Sequence, residues 1–211
     1  MNITSRSSKS ADILRCLLSD HSGEFQWGLP KKNGIEQLQL FKDYNIKCPE
    51  FTINLLEAYN WLDQGYFVYG RNLYHTQGKD IVTYNSRKFF RKDFWVKVIP
   101  IESEWRIHIF NGKCIARGLK VQTSPPTKSL PIRVRQNGWT LTHKIEPPKG
   151  IRTFAKQMVQ AVDYLYGACD IVIDSEGTFW ALEVNTRPGL DTYTAKSYMQ
   201  AILKYMSLES E

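Results

Sequence analysis

The stretch Cys169-Asp170-Ile171-Val172-Ile173-Asp174 is followed by Ser175-Glu176-Gly177-Thr178 and then by Phe179-Trp180-Ala181-Leu182-Glu183-Val184-Asn185. Two apolar runs around a glycine-containing turn read as an antiparallel hairpin. With a two-residue or four-residue loop around Glu176-Gly177, Asp170 stands opposite Glu183, and Asn185 follows two residues on along the same face. Two facing carboxylates repel each other unless a cation lies between them. An oxygen-only set of Asp, Glu and Asn suits magnesium, which keeps waters and takes its other ligands from phosphates.

The same reasoning applies upstream. Trp105, Ile107 and Ile109 alternate with Glu104, Arg106, His108 and Phe110, which is a strand pattern, and Asn111-Gly112 is a strong two-residue hairpin signal. The chain is expected to return antiparallel from Lys113 to Val121, setting Arg106 opposite Arg117 and His108 opposite Ile115. Two facing arginines make sense around a polyanion, and a phosphate chain is the natural candidate. Together the hairpins read as a clamp for a magnesium-bound nucleotide. The alternative is a solvated face on each, because polar alternation needs no ligand and a single bulge breaks either register.

Around these hairpins the sequence predicts both helices and strands. Asn33 with Glu36 forms a capping-box pattern ahead of a helix reaching Asn45, and Asn54 and Gly65 bracket a second helix over Leu55–Asp63. Residues 66–69, 81–84 and 94–99 read as strands. Residues 151–166 carry apolar positions at helical spacing between Pro147-Pro148 and Gly167, and a last helix is expected over 195–206. The fold class is α+β.

Composition narrows the function classes. The 211 residues are 42% hydrophobic and 23% charged, which excludes wholesale disorder and suits one domain or two small lobes. No apolar run approaches the roughly 20 residues of a membrane helix, and the polar N-terminus has no signal-peptide core, so a cytoplasmic protein with no membrane partner is expected. Cys16, Cys48, Cys114 and Cys169 are widely spaced, pointing to neither zinc nor disulfides. A net charge of +7 favours anionic partners: nucleotides, nucleic acid or acidic surfaces.

The run from Cys169 to Asp174, with Leu182-Glu183-Val184-Asn185-Thr186-Arg187-Pro188-Gly189-Leu190, resembles the metal-binding end of the ATP-grasp superfamily of carboxylate-amine ligases. Glutathione synthetases, D-alanine-D-alanine ligases and glutamate-adding ligases share this order of an acidic residue, Glu-x-Asn and a Pro-Gly turn. The segment Glu104 to Lys113 looks like the family's acidic-x-Arg strand and hairpin, and Arg135-Gln136-Asn137-Gly138-Trp139 looks like a motif of small, often phage-encoded members.

The resemblance implies an ATP-grasp fold, two α+β lobes with antiparallel sheets clamping ATP, here over 31–97 and 98–211 behind a short N-terminal segment, 1–30. Asp170, Glu183 and Asn185 would hold Mg2+, while Arg106 and Arg117 would serve catalysis by facing phosphates or an acyl phosphate. Arg71, Lys97 and Arg106 would contact the nucleotide, with Lys79 on a phosphate-covering loop, Gln77-Gly78-Lys79-Asp80. For Arg71 and Lys97 an exposed or snorkelling cation remains the alternative.

The implied activity is ATP-dependent amide formation between a carboxylate and an amine of unknown identity. A macromolecular co-substrate and a homo-oligomer stay open, since much of the family's usual N-terminal domain is not represented. Two rivals are carried: a kinase-like phosphotransferase on the same clamp, and a non-catalytic basic module binding nucleic acid, which the intact acidic pair disfavours.

Overall fold

The computed structural model describes residues 1–4, 8–28, 32–73, 81–87, 91–124, 133 and 137–208. Lys79 and the loop around it, His75 and Arg135 lie outside the described residues.

Side-chain caps begin the first three helices. Ser8 caps α1 (Lys9–Leu17) by accepting from the Ala11 amide. Asn33 and Glu36 make the expected reciprocal capping box on α2 (Gly34–Asp43), and Asn54 accepts from the Leu56 amide at α3 (Leu55–Asp63). Each such cap satisfies an orphan donor and is worth about 1 kcal/mol. Strands β1 (Asn2–Thr4) and β2 (Glu24–Gln26) pair in parallel, joined through α1.

Two antiparallel sheets follow. The smaller contains β3 (Phe51–Thr52), β4 (Val68–Arg71), β5 (Val82–Tyr84) and β6 (Phe94–Lys97), in the order β3-β6-β4-β5. The larger contains β7 (Ser103–Phe110), β8 (Lys113–Gln122), β9 (Trp139–Thr142), β10 (Tyr166–Ile173) and β11 (Phe179–Asn185), in the order β11-β10-β7-β8-β9. Helices α4 (Ile151–Ala161) and α5 (Thr192–Leu208) complete the chain.

Alternation divides the larger sheet into two faces. One face presents Ile107, Ile109, Cys169 and Ile171 to Ala155, Met158 and Val159 of α4, and this core also takes in Leu38 and Phe41 of α2 and Phe94 and Val96 of the smaller sheet. Each fully buried large aliphatic here contributes about 1.5–3 kcal/mol. On the opposite face Phe110 and Tyr166 meet Tyr198 and Ile202 of α5, with Trp27 and α1 behind them. Arg106 and its neighbours share that second face, beyond the part that α5 covers.

Three expectations need correction. The helix predicted over 151–166 ends at Ala161, because Asp163 turns to φ +55° and Tyr166 already begins β10. Gly167 is therefore no helix stop. It sits inside the strand, where a Cβ would come within 2.3 Å of Val184 Cγ1.

The first hairpin does turn at Asn111-Gly112, with φ of +44° and +66° as a type I′ turn requires. Its register shifts between His108 and Ile109, however, so Arg106 faces Gly118, His108 faces Ala116 and Arg117 faces Ile107. The extra residue is Ile115. Cys114 stays against the α4 core while Ile115 packs into the α5 core, and a bulge lets both faces be served.

The second hairpin keeps Asp170 opposite Glu183, then shifts so that Ile171 faces Ala181 and Leu182 is the extra residue.

Candidate functional site

The site is built from rows across the larger sheet. Gly118, Arg106, Asp170 and Glu183 are successive partners on β8, β7, β10 and β11, and Ala116, His108, Ala168 and Asn185 form the next row. Directly opposed residues point to one face. Period-2 alternation therefore places Arg106, Asp170, Glu183 and Asn185 together, with only small residues, Gly118, Ala116 and Ala168, between the polar ones.

Arg106 grips Asp170 with two parallel hydrogen bonds, Nε to Oδ1 and Nη2 to Oδ2, each 2.8 Å. Asp170 is 5% exposed. Burial alone would raise its pKa, but the charges of Arg106 and Lys120 and the Arg106 hydrogen bonds outweigh it and lower it to about 2. Burial opposes the Arg106 charge too, yet Asp170 and Glu183 hold its pKa above the usual value. Glu183 Oε1 accepts from Asn185 Nδ2 at 2.7 Å, and Glu183 Oε2 lies 3.9 Å from Arg71 Nη2. Arg71 thus arrives from the smaller sheet, and burial lowers its pKa.

Buried Glu104 and half-buried Lys120, which sequence reasoning did not single out as site residues, extend the network. Lys120 pairs with Glu104, one step further along the same face. The Lys120 pKa is raised, since Asp170 and Glu104 overcome its burial, while burial raises that of Glu104. The bulge produces this pairing by moving Arg117 off the face. Only the shifted register could have revealed it.

Arg117 instead reaches Glu146 on the α4 side, 2.8 Å away. Lys97 is likewise apart: its cross-strand partner is Val68, on the α3 face of the smaller sheet, and it pairs with Glu50 at 2.9 Å and lies over the Tyr66 ring. Arg71 and Lys97 do not converge.

His108 lies wholly buried beside this network, with Nδ1 3.2 Å from the Tyr198 hydroxyl. Burial, reinforced by the Arg106 charge, lowers its pKa to about 3, so the ring is neutral. Next to the row, the His143 ring covers Gly118, and its Nε2 lies 2.6 Å from Asp191 Oδ2, tying the end of β9 to the start of α5.

The donor set fits a hard divalent cation. Asp170, Glu183 and Asn185 offer oxygen atoms from adjacent positions, and no cluster of three or more His, Cys, Asp or Glu able to hold a metal exists among the described residues. Two carboxylates and an amide are too few for a protein-only cage but match an ion completed by water and phosphate. Among the described residues no helix is long and apolar enough to cross a membrane.

Neither a family model nor a curated protein matches the sequence. Solved structures do match. The ATP-grasp ligase PsnB, complexed with a minimal precursor, aligns with a TM-score of 0.65 at 15% identity, over 92% of this chain and 68% of that one. A RiPP-associated ATP-grasp ligase from Chryseobacterium gregarium, in complex with ADP and a leader and core peptide, gives 0.61 at 16% identity, over 92% and 68%. D-alanine--D-alanine ligase from Bacillus anthracis gives 0.59 at 15%, over 81% and 62%. The chain has the ATP-grasp fold, and it spans about two thirds of the length of these proteins.

Proposed function

We propose that this chain is an ATP-dependent ligase that joins a carboxylate to an amine through an acyl phosphate. The observation that supports it best is the single row Arg106, Asp170, Glu183, followed by Asn185, with Arg71 facing it from the other sheet. A magnesium ion held by Asp170, Glu183 and Asn185 would draw charge off the β- and γ-phosphates. Arg106 and Arg71 would orient the anionic groups, and Lys120 would hold Glu104 and keep positive charge beneath the site. Positioning and charge neutralisation carry most of such a phosphoryl transfer, so no strong base is required.

In the first step a substrate carboxylate oxygen attacks the γ-phosphorus and ADP leaves. In the second an amine attacks the acyl carbon, phosphate departs, and the amine's surplus proton leaves with it. PsnB is seen with a precursor peptide and the Chryseobacterium ligase with a leader and core peptide, which supports a polypeptide as one co-substrate here.

Hydroxylamine trapping tests the reading. With ATP, magnesium and a carboxylate panel that includes peptides, but no amine, the chain should yield a hydroxamate with ADP and phosphate. A stable phosphorylated acceptor would replace the ligase with a phosphotransferase. Nucleotide-independent binding to nucleic acid, unaffected by Asp170→Asn and steeply weakened by salt, would replace it with a binding module.

A further inference from the structure

A carboxylate as buried as Asp170 cannot stand alone, and here its partner is a side chain of the same sheet. The fork of Arg106 faces both oxygens, so the group assigned above to a divalent cation already carries a cation. Lys120 adds positive charge nearby. A guanidinium and a divalent ion on one carboxylate repel each other, so each weakens the other's hold there.

Arg106 has limited choices. It is itself half-buried, with a side chain 20% exposed, and leaving Asp170 without another anion would leave its charge poorly compensated. Along the sheet its cross-strand partner is Gly118, and the space above that glycine is filled by the His143 ring, 3.3 Å from where a Cβ would stand. The exit therefore leads off the sheet, toward the side from which Arg71 approaches Glu183. There the acceptor matching a planar fork is a phosphate group, which accepts the same two parallel bonds.

Resting on the metal centre of the proposed function, we propose that Arg106 is the resident counter-cation of Asp170, a latch that excludes a bare divalent cation and opens when nucleotide phosphates take the guanidinium. Cation and nucleotide then bind with positive coupling, each strengthening the other by the same factor. Arg106 changing partners adds to the coupling that phosphate ligation of the ion supplies by itself. A static metal cage with a separate phosphate-binding arginine would couple only through phosphate ligation of the ion, and removing that arginine would leave its affinity for the bare ion unchanged.

The test titrates the full chain with Mn2+, following free ion by electron paramagnetic resonance, with and without a non-hydrolysable ATP analogue. Wild type should bind Mn2+ weakly alone and at least about tenfold more tightly with the analogue. Arg106→Met should bind Mn2+ alone about tenfold more tightly than wild type and show correspondingly less coupling. Arg106→Lys, which keeps the charge but not the fork, should fall between. Adding Asp170→Asn to either variant should abolish the gain, locating the ion.

If wild type binds Mn2+ with the analogue while both variants alone stay within about twofold of wild type, the latch is wrong and the metal centre stands. If wild type binds no Mn2+ under either condition, the metal centre falls and the latch with it.

Discussion

His108 offers a pH-dependent measurement that reports directly on the buried interior beside the site. The imidazole has an ordinary pKa of 6.5 in the unfolded chain and about 3 in the fold, where burial and the Arg106 charge disfavour its protonation. Between those values the unfolded state binds the extra proton, so stability is complete above pH 6.5 and declines as the pH falls toward 3. Each pH unit of that difference is worth about 1.4 kcal/mol, so the whole of it amounts to about 5 kcal/mol, comparable to the entire stability of a marginal domain. From about pH 7.5 to about pH 5 the loss due to His108 alone works out at about 2 kcal/mol.

Urea unfolding followed by tryptophan fluorescence at both pH values measures it. His108→Gln can still hydrogen-bond the Tyr198 hydroxyl but does not titrate, and it should lose about 2 kcal/mol less than wild type over the interval. Comparing the two chains cancels the other histidines. Equal pH dependence in wild type and variant would refute the buried neutral imidazole and the electrostatic picture built around it.

Glu183→Gln should leave the fold intact and weaken magnesium-dependent nucleotide binding by more than about tenfold in calorimetry; unchanged affinity would remove Glu183 from the site. Arg117→Met should leave nucleotide affinity within about twofold, since the bulge carries Arg117 to the α4 side; a loss of about tenfold would contradict the observed register. Gly167→Ala forces a Cβ against Val184 inside a buried strand, so unfolding should show a cost of about 1–3 kcal/mol, and an unaltered urea midpoint would contradict that packing.

The facing pair Asp170 and Glu183 was legible because everything that sets it is local. Asp170 and Glu183 lie thirteen positions apart around one turn, so strand alternation and loop length suffice to oppose them, and the shift at Leu182 falls just beyond the pair. The caps at Asn33 and Asn54 were equally plain, since a helix start is written within four residues. Arg106 does share a face with the acidic pair, but its cross-strand partner was not legible. The sequence suggested a facing arginine, whereas β7 lies between β8 and β10 and gives Arg106 a glycine on one side and Asp170 on the other.

By itself, then, the sequence determined most of the elements, the α+β class, both hairpin turns and the facing of Asp170 and Glu183, because these follow from period, turn chemistry and side-chain type over short spans. The tertiary structure alone decided which cation meets which anion. Ile115 bulges because two separate cores compete for neighbouring residues of one strand, and that competition moves Arg117 away and brings Lys120 to Glu104. Arg71 and Lys97 part company because the pairing of β4 with β6 puts them on opposite faces of the smaller sheet, although each ends a strand that looks alike in sequence. Strand adjacency and register between distant segments are set by the summed packing of the whole core, and a one-residue change in either exchanges the faces of every side chain that follows.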